Sequence, residues 1–255
     1  MAVRYAPYAL SPPPKGPGLA PLASEDWIAP DERFAEQLAE RRRLLDEVPG
    51  IVMAETPGSE PAQHELLGLV AAEGRVPEMP DRAPLAALAL MAQDDFCILE
   101  EGAGGEYVLS AGIVCFPSRW SLAEKIGRPL TAIHAPVPVY DADLAMRVGR
   151  IFERIRVETP LWRMNWTVHG SPVLHQPRAA PDDGGLYVRV ERQTFRRLPE
   201  TRAVVFGIRT YVDDVAVLTA DQRRALRAGL ARYDEAEIAY HGGAVLHERA
   251  LRRLA

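Results

Sequence analysis

The sequence predicts an α+β protein built on an antiparallel sheet, and three observations carry that prediction. Helix-period and strand-period stretches come in separate blocks: helices, two strands, short helices and a longer one, three strands, then helices again. Of 255 residues, 47% are hydrophobic and 25% charged, the composition of a folded domain and not of a disordered chain. The 22 prolines and 19 glycines divide the chain into many short elements.

Residues 1–30 form a proline-rich arm. Pro12-Pro13-Pro14 and Gly16-Pro17-Gly18 predict extended, irregular backbone, while Leu19, Leu22, Trp27 and Ile28 supply apolar anchors that should dock it on the body. Residues 31–93 form a helical region. Its first helix starts near Asp31, whose carboxylate can accept from free amides at a helix start; Phe34, Leu38, Leu45 and Val48 share a face, and Pro49-Gly50 should end it. A second helix spans about Gln63 to Glu73, and the prolines at 77 and 80 break the stretch that follows. A third begins near Pro84, a residue suited to a first turn.

Residues 94–215 are the expected core. Phe96 to Glu100 and Tyr107 to Phe116 flank Gly102-Ala103-Gly104-Gly105 and read as a β-hairpin. Ser121-Leu122-Ala123-Glu124 fits a capping box opening a short helix that Gly127 closes. Thr131 to Tyr140, rich in proline, should be extended or looped. Ala142 to Val157 carries Leu144, Val148, Ile151, Phe152 and Ile155 at helical spacing. Three alternating segments follow, Leu161 to Val168, Leu186 to Arg196 and Ala203 to Val212. Residues 216–255 are C-terminal helices, about Thr219 to Tyr240 and Ala244 to Leu254. Five strands with a helical crossover between the second and third are compatible with a PAS-like sandwich, although spacing does not single out that fold.

Composition excludes several function classes. Lys plus Arg number 30 against 35 for Asp plus Glu, a net charge of −5, which argues against a general nucleic-acid binder. Two cysteines, Cys97 and Cys115, cannot build a disulfide scaffold, a four-cysteine zinc site or an all-cysteine iron–sulfur cluster. Both sit in apolar runs, as buried thiols of a cytoplasmic protein would. No apolar run reaches membrane-spanning length, and the first 30 residues lack the pattern of a secretory signal.

The common catalytic motifs are missing: no phosphate loop, no dinucleotide fingerprint, no His-Glu-x-x-His and no Gly-x-Ser-x-Gly. A cofactor held by shape and one axial ligand leaves no such signature; haem needs one histidine, a flat apolar slot and cations for its propionates. Of the six histidines, His64 and His247 fall on exposed helix faces, His241 at a helix end, and His169 and His175 in a turn-rich segment. His134, between Ile133 and the prolines at 136 and 138, reads as either a ligand or a hydrogen-bonded structural histidine. A second constellation runs Arg189-Val190-Glu191-Arg192-Gln193-Thr194, with Arg209-Thr210-Tyr211 on the next strand and Arg163 and Asn165 on a neighbouring one. It reads as a solvated sheet face with structural ion pairs, or as a pocket whose carboxylate binds an ammonium group.

Eight runs, in order along the chain, resemble the haem-dependent oxidative N-demethylase family. They are Gly18-Leu19-Ala20-Pro21-Leu22 with Trp27-Ile28-Ala29-Pro30-Asp31, Cys115-Phe116-Pro117-Ser118-Arg119-Trp120, Lys125-Ile126-Gly127-Arg128-Pro129-Leu130, Ile133-His134-Ala135-Pro136-Val137-Pro138, Arg163-Met164-Asn165-Trp166, Glu191-Arg192-Gln193-Thr194 and Ile208-Arg209-Thr210-Tyr211. The resemblance implies a PAS-type subunit binding haem b and removing an N-methyl group from a small secondary amine such as dimethylamine. It uses O2 and electrons from NADPH, and releases formaldehyde. FMN, a 2Fe–2S centre and tetrahydrofolate are then expected on reductase and folate-binding partner subunits, not on this chain, with neither nucleic acid nor membrane as a partner. The implied site has His134 as axial ligand to the iron and Arg119, Arg163 or Arg209 as propionate partners. Asn165 and Trp166 are expected beside the cofactor. Glu191 is expected near the amine, with Arg192 and Tyr187 as further catalytic candidates. A PAS-type gas or redox sensor, or a haemless binding relative, is the alternative; no output module is read in the chain, which favours the enzyme subunit.

Overall fold

A computed structural model describes residues 5–9, 18–73, 79–135 and 142–255, with side chains throughout except over 142–147. The run Pro12-Pro13-Pro14 with Gly16-Pro17, the break at Pro77 and the segment 136–140 lie outside the described residues.

Seven strands form one sheet: β1 (Ala20–Pro21), β2 (Met53–Glu55), β3 (Asp95–Glu101), β4 (Tyr107–Ile113), β5 (Leu161–His169), β6 (Tyr187–Arg197) and β7 (Val204–Asp214). Their order is β1-β5-β6-β7-β3-β4-β2, with every neighbouring pair antiparallel. The α+β class stands, but the five-stranded PAS-like sheet is corrected to seven strands. The two additions have two and three residues, too short to show an alternation, and each pairs along an edge: β1 on β5 and β2 on β4.

Ahead of β3 come α1 (Phe34–Glu47), α2 (Pro49–Val52), α3 (Glu60–Ala72) and α4 (Pro84–Met91); in the crossover come α5 (Leu122–Lys125), α6 (Leu130–His134) and α7 (Ala142–Arg154); at the end come α8 (Ala220–Leu230), α9 (Glu235–Tyr240) and α10 (Gly243–Arg253). Pro49 opens a new helical turn instead of ending the first helix, since proline suits a first turn. The Ser121 side chain makes no capping bond, so that capping box does not form, although Gly127 does close α5 at φ +72°. The single C-terminal helix expected from Thr219 to Tyr240 is two helices: Asp234 and Glu237 form a capping box that starts α9. Part of the segment expected to be looped is helical, and His134 lies in the last turn of α6.

Alternation and register fix what each face of the sheet meets. One face carries Val188, Val190, Phe96, Ile98, Ala111, Ile113 and Val205, packed under α1, α3 and α4 at one end and under α8 and α10 at the other. Every residue from Leu85 to Met91 of α4 is buried, as expected of a helix apolar all round. The arm docks on this face too: Leu22, Trp27 and Ile28 are in its core. The second face carries Cys97, Leu99, Leu109, Phe195, Val204 and Phe206, and the crossover covers it through Leu122, Ile126, Leu130, Ile133, Phe152 and Ile155. The candidate site lies on this crossover face.

Candidate functional site

Register places Arg163, Asn165 and Thr167 of β5 beside Gln193, Glu191 and Arg189 of β6, and Glu191 beside Thr210 of β7. Alternate residues on antiparallel neighbours share a face, so these side chains form one polar strip on the crossover face. Glu191 is its centre. Its Oε1 accepts from Arg189 Nε at 3.3 Å and its Oε2 from Gln193 Nε2 at 3.0 Å, while Gln193 Oε1 accepts from Arg163 Nε at 2.7 Å. The Glu191 side chain keeps 15% of its exposure, and Asn165 is exposed, so the strip is reached by solvent. Arg189 is buried and fully engaged: it also donates to the carbonyls of Leu174 and Phe116 and to Thr210 Oγ1. Arg189 and Gln193 are buried, so a fully solvated face does not describe them, while Arg189 with Glu191 is a structural ion pair of the kind that reading allowed.

His134 lies in the last turn of α6, where the Arg163 charge of the strip acts on its ring. Its Nδ1 donates to the Leu130 carbonyl at 2.9 Å, one turn back in α6. Burial pulls its pKa down, and the charges of Lys125 and Arg163 act in the same direction, so the ring is held neutral. Lys125, which motif reading passed over as a site residue, donates to the Ile133 carbonyl at 2.9 Å and lies 5.7 Å over the Trp120 ring. Burial likewise lowers the pKa of Arg163, with Glu191 opposing.

Arg119 stands near the Arg189 end of the strip. Its backbone is left-handed, φ +60°, held by a bond from its amide to the Gln176 carbonyl at 2.6 Å. One guanidinium nitrogen donates to the Val168 carbonyl at 3.3 Å; the buried Nε has no partner. Burial and the Arg189 charge lower its pKa. Tyr240 is raised by burial and by Glu191 and lowered by Arg119, so both charges act on one phenol. No sequence signal points to Tyr240, which reaches the strip only through the return of the C-terminal helices. Behind Arg119, His169 Nδ1 donates to Gln176 Oε1 at 3.1 Å and Thr167 Oγ1 donates to Nε2 at 2.8 Å. Both nitrogens are used, and burial, then Arg119 and Arg189, push this histidine down to about 3.

The remaining candidates are not brought together with Glu191. Arg209 and Arg192 pair with each other in register on the opposite face. Arg209 bonds Asp31 at 2.7 Å and Gln37 under α1, and Arg192 donates to the carbonyls of Asp26 and Trp27. Arg192 anchors the arm, and Arg209 the start of the helical region. Trp166, also on that face, stacks on Tyr233 at 6.1 Å and meets Tyr8 edge-on at 6.0 Å. Tyr187 starts β6 and donates to Asp183 at 3.1 Å, four residues along the strand from Glu191. Two clefts of about 510 and 390 Å3 open around Arg154–Arg156–Arg202 and around Tyr107–Leu130–Val148; neither is lined by Glu191 or His134, and neither carries comparable chemistry.

The fold and the strip define an α+β protein with a charged, sheet-floored site beneath a helical crossover. A sequence model of the family described as haem-dependent oxidative N-demethylase, alpha subunit-like, matches residues 69–251, and the chain belongs to that family. The match takes in β3 to β7 and every side chain of the strip. No helix among the described residues is long and apolar enough to cross a membrane.

One part of what the haem in the family's name would need is present on this face, an imidazole able to serve as a ligand. With Nδ1 donating to a backbone carbonyl, the neutral His134 ring has its lone pair on Nε2, the arrangement that orients an imidazole ligand and raises its basicity. Lys125 and Arg163 are the cations whose charge acts on that ring.

Proposed function

We propose that this chain is the haem-carrying subunit of an oxidative demethylase acting on a small secondary amine of the dimethylamine type. His134 would ligate the iron of haem b, and Arg163 with Lys125 would neutralise its propionates. The observation that carries the reading is the Glu191 strip beside His134. A protonated amine needs a carboxylate to offset its charge away from bulk water, and Glu191 has one acceptor position used on each oxygen, leaving one on each for the ammonium N–H groups. Arg189 and Gln193 lock that carboxylate in one orientation, and Asn165 stands beside it at the solvent edge.

Bound haem would supply activation of O2 for attack on the N-methyl carbon. The balance is one amine, one O2, NADPH and a proton giving the demethylated amine, formaldehyde, NADP+ and water. Glu191 orients the amine and takes the ammonium proton at Oε1 or Oε2, exposing the nitrogen lone pair. The electrons enter from partner subunits carrying FMN and a 2Fe–2S centre, with a tetrahydrofolate-binding subunit to receive formaldehyde, and the assembly is cytoplasmic.

Oxygen uptake and formaldehyde release with dimethylamine, measured on the haem-loaded chain with a chemical reductant, test the reading. Glu191→Gln should lower kcat/KM by about 10²-fold or more while leaving the haem spectrum in place. Equal loss of haem and activity would make Glu191 a structural residue instead.

A further inference from the structure

We infer that the cleft at the C-terminal end of α7 binds a small phosphate ester, and that Arg154, Arg156 and Arg202 hold its phosphate group. The cleft has a volume of about 510 Å3, within the range of small-molecule sites, and shares no lining residue with the Glu191 strip. Three separate segments bring the arginines to it: the last turn of α7, the tight turn in which the Thr159 amide donates to the Arg156 carbonyl, and the hairpin between β6 and β7. All three side chains are exposed, so a ligand from solvent reaches them. Glu153 and Glu158 line the same cleft, yet none of the three guanidiniums closes on either, and none makes an ion pair among the described residues.

Two features build the cleft. Arg202 stands at φ +64°, a left-handed backbone that is strained for a residue with a Cβ and that glycine or asparagine adopts more readily. What an arginine adds there is its side chain, and that side chain lines the cleft. The buried Arg197 ties the two walls together. Its Nε donates to the Ile155 carbonyl at 2.8 Å, Nη1 to the Arg202 carbonyl at 2.6 Å and Nη2 to the Phe152 carbonyl. Glu65 also pins the hairpin, accepting from the amides of Glu200 and Thr201 at 2.6 and 2.8 Å. The walls are thus fixed before a ligand arrives, which cuts the ordering cost of binding. Planar guanidinium forks match phosphate oxygens, and three of them suit a tetrahedral group with three terminal oxygens better than a planar carboxylate with two. Glu153 and Glu158 are acceptors for hydroxyl groups on the rest of the ester.

Isothermal titration of the full chain with ribose 5-phosphate, ribose and inorganic phosphate tests this. Ribose 5-phosphate should bind about tenfold or more tighter than ribose, and inorganic phosphate should displace it. Arg202→Gln and Arg156→Gln should each weaken ribose 5-phosphate by about tenfold, whereas Arg224→Gln, on the exposed face of α8, should leave it unchanged. Arg202→Gly separates binding from folding: glycine takes the left-handed conformation freely, so Tm should hold or rise while binding falls. A lower Tm with binding intact would make Arg202 a structural residue and overturn the inference. Equal binding of ribose and ribose 5-phosphate, or phosphate binding that survives Arg156→Gln and Arg202→Gln combined, would overturn it too.

Discussion

At the scale of single residues, the molecule relies on buried arginines. Arg41 and Asp95 form an ion pair at 2.8 Å with both side chains almost wholly buried, and Asp95 also accepts from the amides of Cys115 and Phe116. Removing one member leaves the other charged and unpaired, so Arg41→Ala should cost about 3–5 kcal/mol in urea unfolding; a loss under about 1 kcal/mol would contradict the pairing. His169 gives a pH dependence of definite sign. Its folded pKa is about 3 and its unfolded pKa is the ordinary histidine value, so between them the unfolded chain binds the extra proton. The neutral ring's contribution is complete above about pH 6.5 and is lost as pH falls toward 3, at about 1 kcal/mol per pH unit. His169→Gln should flatten that slope between pH 7 and 5, and an unchanged slope would refute the assignment. The motif runs pointed to the right residue types, but adjacent residues of a strand face opposite ways. Glu191 and Arg192, neighbours in one run, end on opposite faces, as do Asn165 and Trp166.

At the scale of elements, long periodic segments were legible and short ones were not. The alternation of β5, β6 and β7 placed all three within about two residues of their bounds, and α7 followed from its apolar spacing. The edge strands β1 and β2 carry no pattern of their own; partners create them. The α6 turn was hidden because proline-rich flanks outweighed the five residues that coil, and that turn gives His134 its Leu130 bond. Thr219 caps α8 by a reciprocal bond with Gln222. Thr219→Ala should destabilise the chain by about 1 kcal/mol, seen as a lower Tm, and a change under a few tenths would show that the cap is idle.

At the scale of the whole molecule, the two faces of one sheet divide the work. The face under α1, α3, α4, α8 and α10 supplies most of the apolar core and binds the arm through Arg192 and the start of the helical region through Arg209. The crossover face trades apolar contact for a polar strip that runs from Arg163 through Gln193 and Glu191 to Arg189. Two cysteines exclude an all-cysteine iron–sulfur cluster on this chain, and on the proposed reading its electrons arrive from partner subunits. The optical spectrum of the haem-reconstituted protein, with and without dimethylamine, tests that account most directly. The account predicts a Soret band that shifts on amine addition, is lost or displaced in His134→Ala, and persists without the amine shift in Glu191→Gln. A protein that shows no Soret band, or a band that His134→Ala leaves unaltered, would contradict it.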